Sequence, residues 1–156
     1  PPKQQGHLLK KAVLSIDTND ELLLRGTVKH LAEQIAYQLR QRRQIARKVT
    51  VEIHYTDGFR NARSGKFQTN DDFSVYQVCL NLFEQCNHRR NRIRSILIDT
   101  THFIPFNLQL DIFITSNTKS QILSCALDRI RTKYGFSSIQ PAIAITQQLQ
   151  KYKSPL

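Results

Sequence analysis

The chain predicts an α+β fold: a four-stranded, mostly antiparallel sheet with two helices on one face, followed by a C-terminal helical tail. Three observations carry it. Several stretches alternate apolar with polar residues, and extended backbone turns successive side chains to opposite faces. Two longer stretches repeat their apolar residues at helical spacing, each behind a run of capping residues. These stretches come in the order strand, helix, strand, strand, helix, strand, which is the split βαβ pattern.

Taken in order, Pro1 to Gly6 reads as a linker, and His7 to Ile16 as a first strand. Asp17-Thr18-Asn19-Asp20 supplies capping residues for a long helix, whose Leu24, Val28, Leu31, Ile35 and Leu39 fall on one stripe. Arg40, Arg42 and Arg43 are cations that suit its C-terminal end. Val49, Val51, Ile53 and Tyr55 then alternate with Thr50, Glu52 and His54, giving a strand with one buried and one open face. Thr56-Asp57-Gly58 provides turn chemistry, and Arg63, Ser64, Lys66 and Thr69 follow on a second strand around Gly65 and Phe67. Thr69 to Asp72 caps a second helix with Val75, Val78, Cys79, Leu82 and Phe83 on its apolar face. A basic turn, Arg89 to Arg92, leads into a strand from Ile93 to Thr101. Residues 1–104 form one domain on this pattern, 105–116 a linker beyond the break at Pro105, and 117–156 a tail. In the tail, Ser120 to Tyr134 is an amphipathic helix with Leu123, Ala126, Leu127, Ile130 and Tyr134 expected on its buried side, and Gly135 is its stop.

The 156 residues carry a formal charge of +11 and are 40% hydrophobic, enough apolar matter to bury a core. The excess of cations favours a polyanionic partner, nucleic acid ahead of an acidic membrane surface. No apolar run approaches a membrane span, and no signal peptide is visible. The chain starts without Met and reads as a piece of something longer. Three cysteines, Cys79, Cys86 and Cys125, without framework spacing suit a reducing cytoplasm. From Arg40 to Lys66 there are eight basic and two acidic residues, and a basic, hydroxyl-bearing open face suits a phosphate backbone.

The segments HLLKKAVLSIDTNDE, QLRQRRQIARKVTVEIHYTDGF, ARSGKF and NRIRSILIDTTHF, in that order, resemble the C-terminal little-finger domain of Y-family translesion DNA polymerases, DinB/polymerase IV-like and UmuC-like. The tail, with QLDIF and KSQILSCALDRIRTKYG, resembles some members too. Members often carry a Gly near Leu97, which this chain lacks, and Gly58 is an extra residue in the turn. The resemblance implies a noncatalytic domain lying along the major groove of duplex primer–template DNA and holding its backbone. Thr50, His54, Arg63, Ser64, Lys66, Arg92 and Arg94 are the candidate DNA contacts. It also implies a catalytic palm, fingers and thumb in the same parent chain, with magnesium needed there and no cofactor for this portion. Gln109-Leu110-Asp111-Ile112-Phe113 resembles the bacterial sliding-clamp-binding pentapeptide: an amide for backbone partners, then apolar anchors for pockets. The alternative for that segment is an edge strand packed on its own domain.

Other chemistry is weakly represented. Two-metal phosphoryl transfer needs clustered carboxylates, whereas Asp20-Glu21 and Asp71-Asp72 both fall where helix caps are expected. Cys79, Cys86 and His88 lack the spacing and fourth ligand of a zinc site. The competing functions are a stand-alone RNA-binding module, which needs aromatic rings on the open face, and a protein-interaction scaffold on a similar sheet.

Overall fold

The computed structural model describes residues 6–106 and 118–145. Its sheet holds β1 (His7–Thr18), β2 (Gln44–Tyr55), β3 (Arg60–Thr69) and β4 (Ile93–Pro105) in the order β1-β4-β2-β3. Every neighbouring pair is antiparallel. The connection from β1 to β2 passes through α1 (Glu21–Gln41) and leaves room for β4 between them. The connection from β3 to β4 passes through α2 (Asp72–Cys86) and straddles β2. Each βαβ unit is thus split by a strand of the other, as the element order predicts.

The helices begin where the sequence places capping side chains. Asp20 accepts from the amides of Leu22 and Leu23, and Asp71 from that of Ser74. The α1 stripe of Leu24, Val28, Leu31, Ile35 and Leu39 packs with Val75, Cys79, Leu82 and Phe83 of α2 on Val49, Val51 and Ile53 of β2 and Ile96 and Ile98 of β4. All of these are nearly or fully buried, and each large apolar side chain contributes about 1.5–3 kcal/mol by leaving water. Gly65 of β3 lies under α2, where a Cβ would stand 3.3 Å from Leu82.

The third helix, α3 (Thr118–Tyr134), matches its expected span but not its expected orientation. Leu123, Ile130 and Tyr134, expected to be buried, are 60%, 38% and 67% exposed. Gln121, Ser124, Asp128 and Arg131 are buried instead. The physical reason is a set of charges that α1 and α2 bring together at this place. Arg40 at the end of α1 pairs with Asp128 at 2.5 Å and with Asp72 at 2.8 Å. Arg131 reaches Asp72 at 3.0 Å and Glu33 at 3.5 Å. Ser124 accepts the amide of Asp72, and Ser120 donates to Asp71. Arg40, read from sequence as part of a basic cluster, is therefore consumed internally. Gly135, at φ 96°, ends α3 as expected, its amide bonded to the Arg131 carbonyl. A short 3-10 turn, Phe136–Ser138, then lays Phe136 over the Arg131 guanidinium.

Candidate nucleic-acid interface

The side of the sheet away from α1 and α2 is ordered in cross-strand rows. Strand pairing puts His7, Thr101, Lys48 and Lys66 in one row, and Leu9, Asp99, Thr50 and Ser64 in the next. Lys11, Leu97, Glu52 and Ala62 form the third, and Val13, Ser95, His54 and Arg60 the fourth. The alternation that buries Val49, Val51 and Ile53 forces this face on their neighbours.

At one end, Lys48 stands directly opposite Lys66, a like-charge pair that costs sheet stability. Beside them the Thr50 and Ser64 hydroxyls are hydrogen bonded at 2.8 Å. A groove of about 730 Å³ opens along this edge, with Arg47, Lys48, Ser64, Lys66, Gln68 and His102 in its lining. His102 holds φ 59°, a left-handed conformation that a side chain adopts at a cost and that often marks a working site.

The other end is also basic, roughly 20 Å away along the strands, given six residues of rise. His54 lies there, bonded at 2.5 Å to Glu52, next to Arg60. Arg94 is exposed at an irregularity of β4, 3.5 Å from Asp17, and Arg92 is exposed just before that strand. Glu52 and Asp99 occupy the middle rows, so the face is basic at two ends rather than throughout.

Of the sequence candidates, Thr50, Ser64 and Lys66 are brought together at the first end, and His54, Arg92 and Arg94 gather toward the second. Arg63 requires a correction. It pairs with the buried Val51 and so shares its side of the sheet, the helix side, not the open face. The error is one of phase: Arg63 and Lys66 are three apart, an odd spacing that a regular strand sends to opposite faces. Lys48 was missed, although it lies in phase with Thr50 and Glu52. His102, which lines the groove, had no signal in the sequence, because its place there depends on backbone conformation.

Gln109 to Phe113 lie outside the described residues. Tyr55 and Phe67, the aromatic residues of the paired strands, are buried. Asp57 ties down the basic turn, accepting from Arg89 and Asn91, and Arg89 stacks 4.2 Å over Phe59. Burial pushes the Cys79 thiol up to about 12 and that of Cys86 to about 11, so neither is poised as a thiolate. Cys86 donates to the Val51 carbonyl.

The model of the impB/mucB/samB family C-terminal domain matches residues 8–112. Among curated relatives, UvrX of Bacillus subtilis (strain 168), a protein named for UV-damage repair, is 25% identical over 153 residues, 93% of this chain and 36% of the relative. DNA polymerase IV of Dehalococcoides mccartyi (strain CBDB1) is 26% identical over 142 residues, 89% of this chain and 36% of the relative. The chain thus spans about a third of the curated relatives it matches. Among solved structures, the insertion ternary complex of Dbh DNA polymerase superposes with a TM-score of 0.55 at 17% identity, over 65% of this chain and 29% of that one. The little finger domain of PolIV, solved in complex with the beta-clamp processivity factor, gives 0.50 at 10% identity, over 65% of this chain and 92% of that one.

Proposed function

This chain belongs to the impB/mucB/samB family C-terminal domain, the little finger of Y-family DNA polymerases, and from that premise we propose that it grips the primer–template backbone and tethers a translesion polymerase to its sliding clamp. The observation that carries the grip is the Lys48–Lys66 pair over the groove. Two ammonium groups held side by side repel each other until an anion lies between them. A phosphate there is flanked by the Thr50 and Ser64 hydroxyls, and Arg92, Arg94 and His54 offer a second contact at the far end. Glu52 and Asp99 between the two ends disfavour a continuous anion, which suits a backbone touched at intervals. Such contacts position the protein without reading bases, and that is what a polymerase copying damaged templates requires. Arg63 has no place in this grip. The buried Tyr55 and Phe67 weigh against the RNA-module alternative, which stacks bases on aromatic rings.

Catalysis belongs on this reading to the palm, fingers and thumb of the parent chain, in the cytoplasm. Among the described carboxylates, Asp20 and Asp71 cap helices, and Asp72 and Asp128 are held by arginines. The clamp contact is assigned to Gln109, Leu110, Asp111, Ile112 and Phe113, with the apolar residues as anchors.

The grip is tested by measuring duplex binding across a salt series. Weak, sequence-independent affinity that falls steeply with salt is expected, and binding indifferent to salt would refute it. The tether is tested separately by calorimetry with the clamp. Leu110→Ala with Phe113→Ala is expected to lower affinity more than tenfold, about 2 kcal/mol or more, leaving duplex binding intact. Unchanged clamp affinity would move the tether elsewhere.

A further inference from the structure

Two loops meet at the end of the sheet where β2 turns into β3: residues 56–59 of that turn, and residues 87–92 between α2 and β4. They are laced together. Thr56 donates to the Arg92 carbonyl through both its amide and its hydroxyl. Asp57 accepts from Arg89 and Asn91 across the gap, and also from the Phe59 amide. The Phe59 carbonyl accepts the Tyr55 amide and closes the turn. Phe59, at the tip, is thus carried by a backbone whose position is fixed from several sides.

The Phe59 ring is covered on one side and open on the other. The Arg89 guanidinium lies 4.2 Å from the ring centre, and the buried Tyr55 ring packs 6.2 Å away, centroid to centroid. A guanidinium is planar and is drawn to the face of an aromatic ring, so Arg89 holds the ring from behind. Phe59 nevertheless remains 47% exposed, which leaves a flat apolar surface in solvent. The charges around it lean one way. The stretches HYTDGFRNA and NHRRNRIR contain five arginines and one carboxylate, Asp57. That carboxylate is taken by Arg89 at 2.7 Å. Arg60, Arg90 and Arg92 are exposed and form no ion pair among the described residues.

Ring and charges together select the ligand. Several unpaired cations suit an anion whose charges are spaced along a chain, as in a nucleic-acid backbone. A free phosphate or an acidic peptide would meet the cations and make no use of the ring. A base inside a duplex is stacked on both faces, so only an unpaired nucleotide can lay a face on Phe59. We propose that this tip binds single-stranded DNA, with one unpaired base stacked on the open face of Phe59 and the neighbouring phosphates on Arg60, Arg90 and Arg92. Phe59 stands on the turn, beyond the paired strands, so this site differs from the sheet-face stacking of an RNA module. It rests on the DNA reading above only in the choice of DNA over RNA.

The test compares binding of the 156-residue chain to an oligothymidylate octamer and to an abasic octamer with the same backbone. The two carry equal charge and differ only in their bases. The oligothymidylate is expected to bind about tenfold more tightly, the effect of one stacked base. Phe59→Leu keeps apolar bulk in the turn and removes the ring. It is expected to bring the two ligands to equal affinity, with little change in melting temperature. The chain contains no tryptophan, so Phe59→Trp places a single fluorophore in the site. Its emission is expected to be quenched by the oligothymidylate and not by the abasic octamer. Equal affinity of the unaltered chain for both octamers, undiminished discrimination by Phe59→Leu, or tryptophan emission indifferent to the bases would each overturn the assignment. An oligouridylate octamer bound more tightly than the oligothymidylate would overturn the choice of DNA. None of these measurements uses a duplex, so their failure strikes this site and leaves the grip standing, and a failed duplex salt series leaves them as they are.

Discussion

The α3 interface and the open sheet face are built from the same kinds of residue and use them in opposite ways. Under α3, Arg40 and Arg131 meet Asp72, Asp128 and Glu33 out of water, with each cation matched inside the chain. On the sheet, Lys48 and Lys66 stand opposite each other in solvent, matched by no carboxylate in their row. A buried charge must be paired at home, because an unpaired one costs several kcal/mol. An exposed charge is stabilised by water and stays available for a partner. Twenty-three lysines and arginines in a sequence say nothing of that division; of the cations from Arg40 to Lys66, Arg40 is spent internally and Arg63 lies on the far side of the sheet.

The contrast breaks most sharply at Arg131. Arg131→Ala removes a buried cation that both Asp72 and Glu33 share, leaving Asp72 to Arg40 and Glu33 to Lys29, and is expected to destabilise the chain by up to about 3–5 kcal/mol in urea unfolding, with the salt slope of duplex binding unchanged. A loss under 1 kcal/mol would show the network to be hydrated and marginal. Asp71, at the edge of the same network, gives a smaller effect. Burial by itself would raise its carboxyl, but hydrogen bonds from Thr69, Ser74 and Ser120 outweigh burial and hold it below the ordinary value. Its stabilisation is therefore present above the unfolded carboxyl pKa and is lost as pH falls through the lower folded value. Asp71→Ala is expected to cost about 1 kcal/mol at neutral pH and to flatten the acid side of the stability curve. An unaltered acid limb would assign that limb to other carboxylates.

On the sheet the sign reverses. Lys66→Gln is expected to leave stability unchanged or raise it by about 0.2–0.5 kcal/mol, since it removes a like-charge neighbour. It should also reduce the log–log salt slope of duplex binding by about one unit. Arg94→Ala is expected to lower the slope similarly, and Arg63→Ala to leave it as it is. A drop with Arg63→Ala and none with Lys66→Gln would place the DNA on the other side of the sheet.

Much of the scaffold was legible in the chain itself. Asp20 and Asp71 announce the helix starts, the Val49–Tyr55 alternation fixes which side of β2 is buried, and Gly135 marks the end of α3. These are local signals: a cap, a period and a positive φ involve residues within a turn or two of each other. Thr50, Ser64 and Lys66 were legible as one face for the same reason. Arg63 was misplaced because composition along a strand was read without its phase.

What the sequence determined by itself, then, is each element and the two unlike faces it must have. Which face finds a partner was decided only in three dimensions. The periodicity of α3 separates Leu123, Ile130 and Tyr134 from Ser124, Asp128 and Arg131, and apolar burial by default would turn the first set inward. The second set is inward because α1 ends at Arg40 close to where α2 begins at Asp72, more than thirty positions later in the chain, and these charges, with Glu33, need counterparts. Helix periodicity is a property of one segment, whereas charge neutrality in a buried place is a property of every segment that meets there.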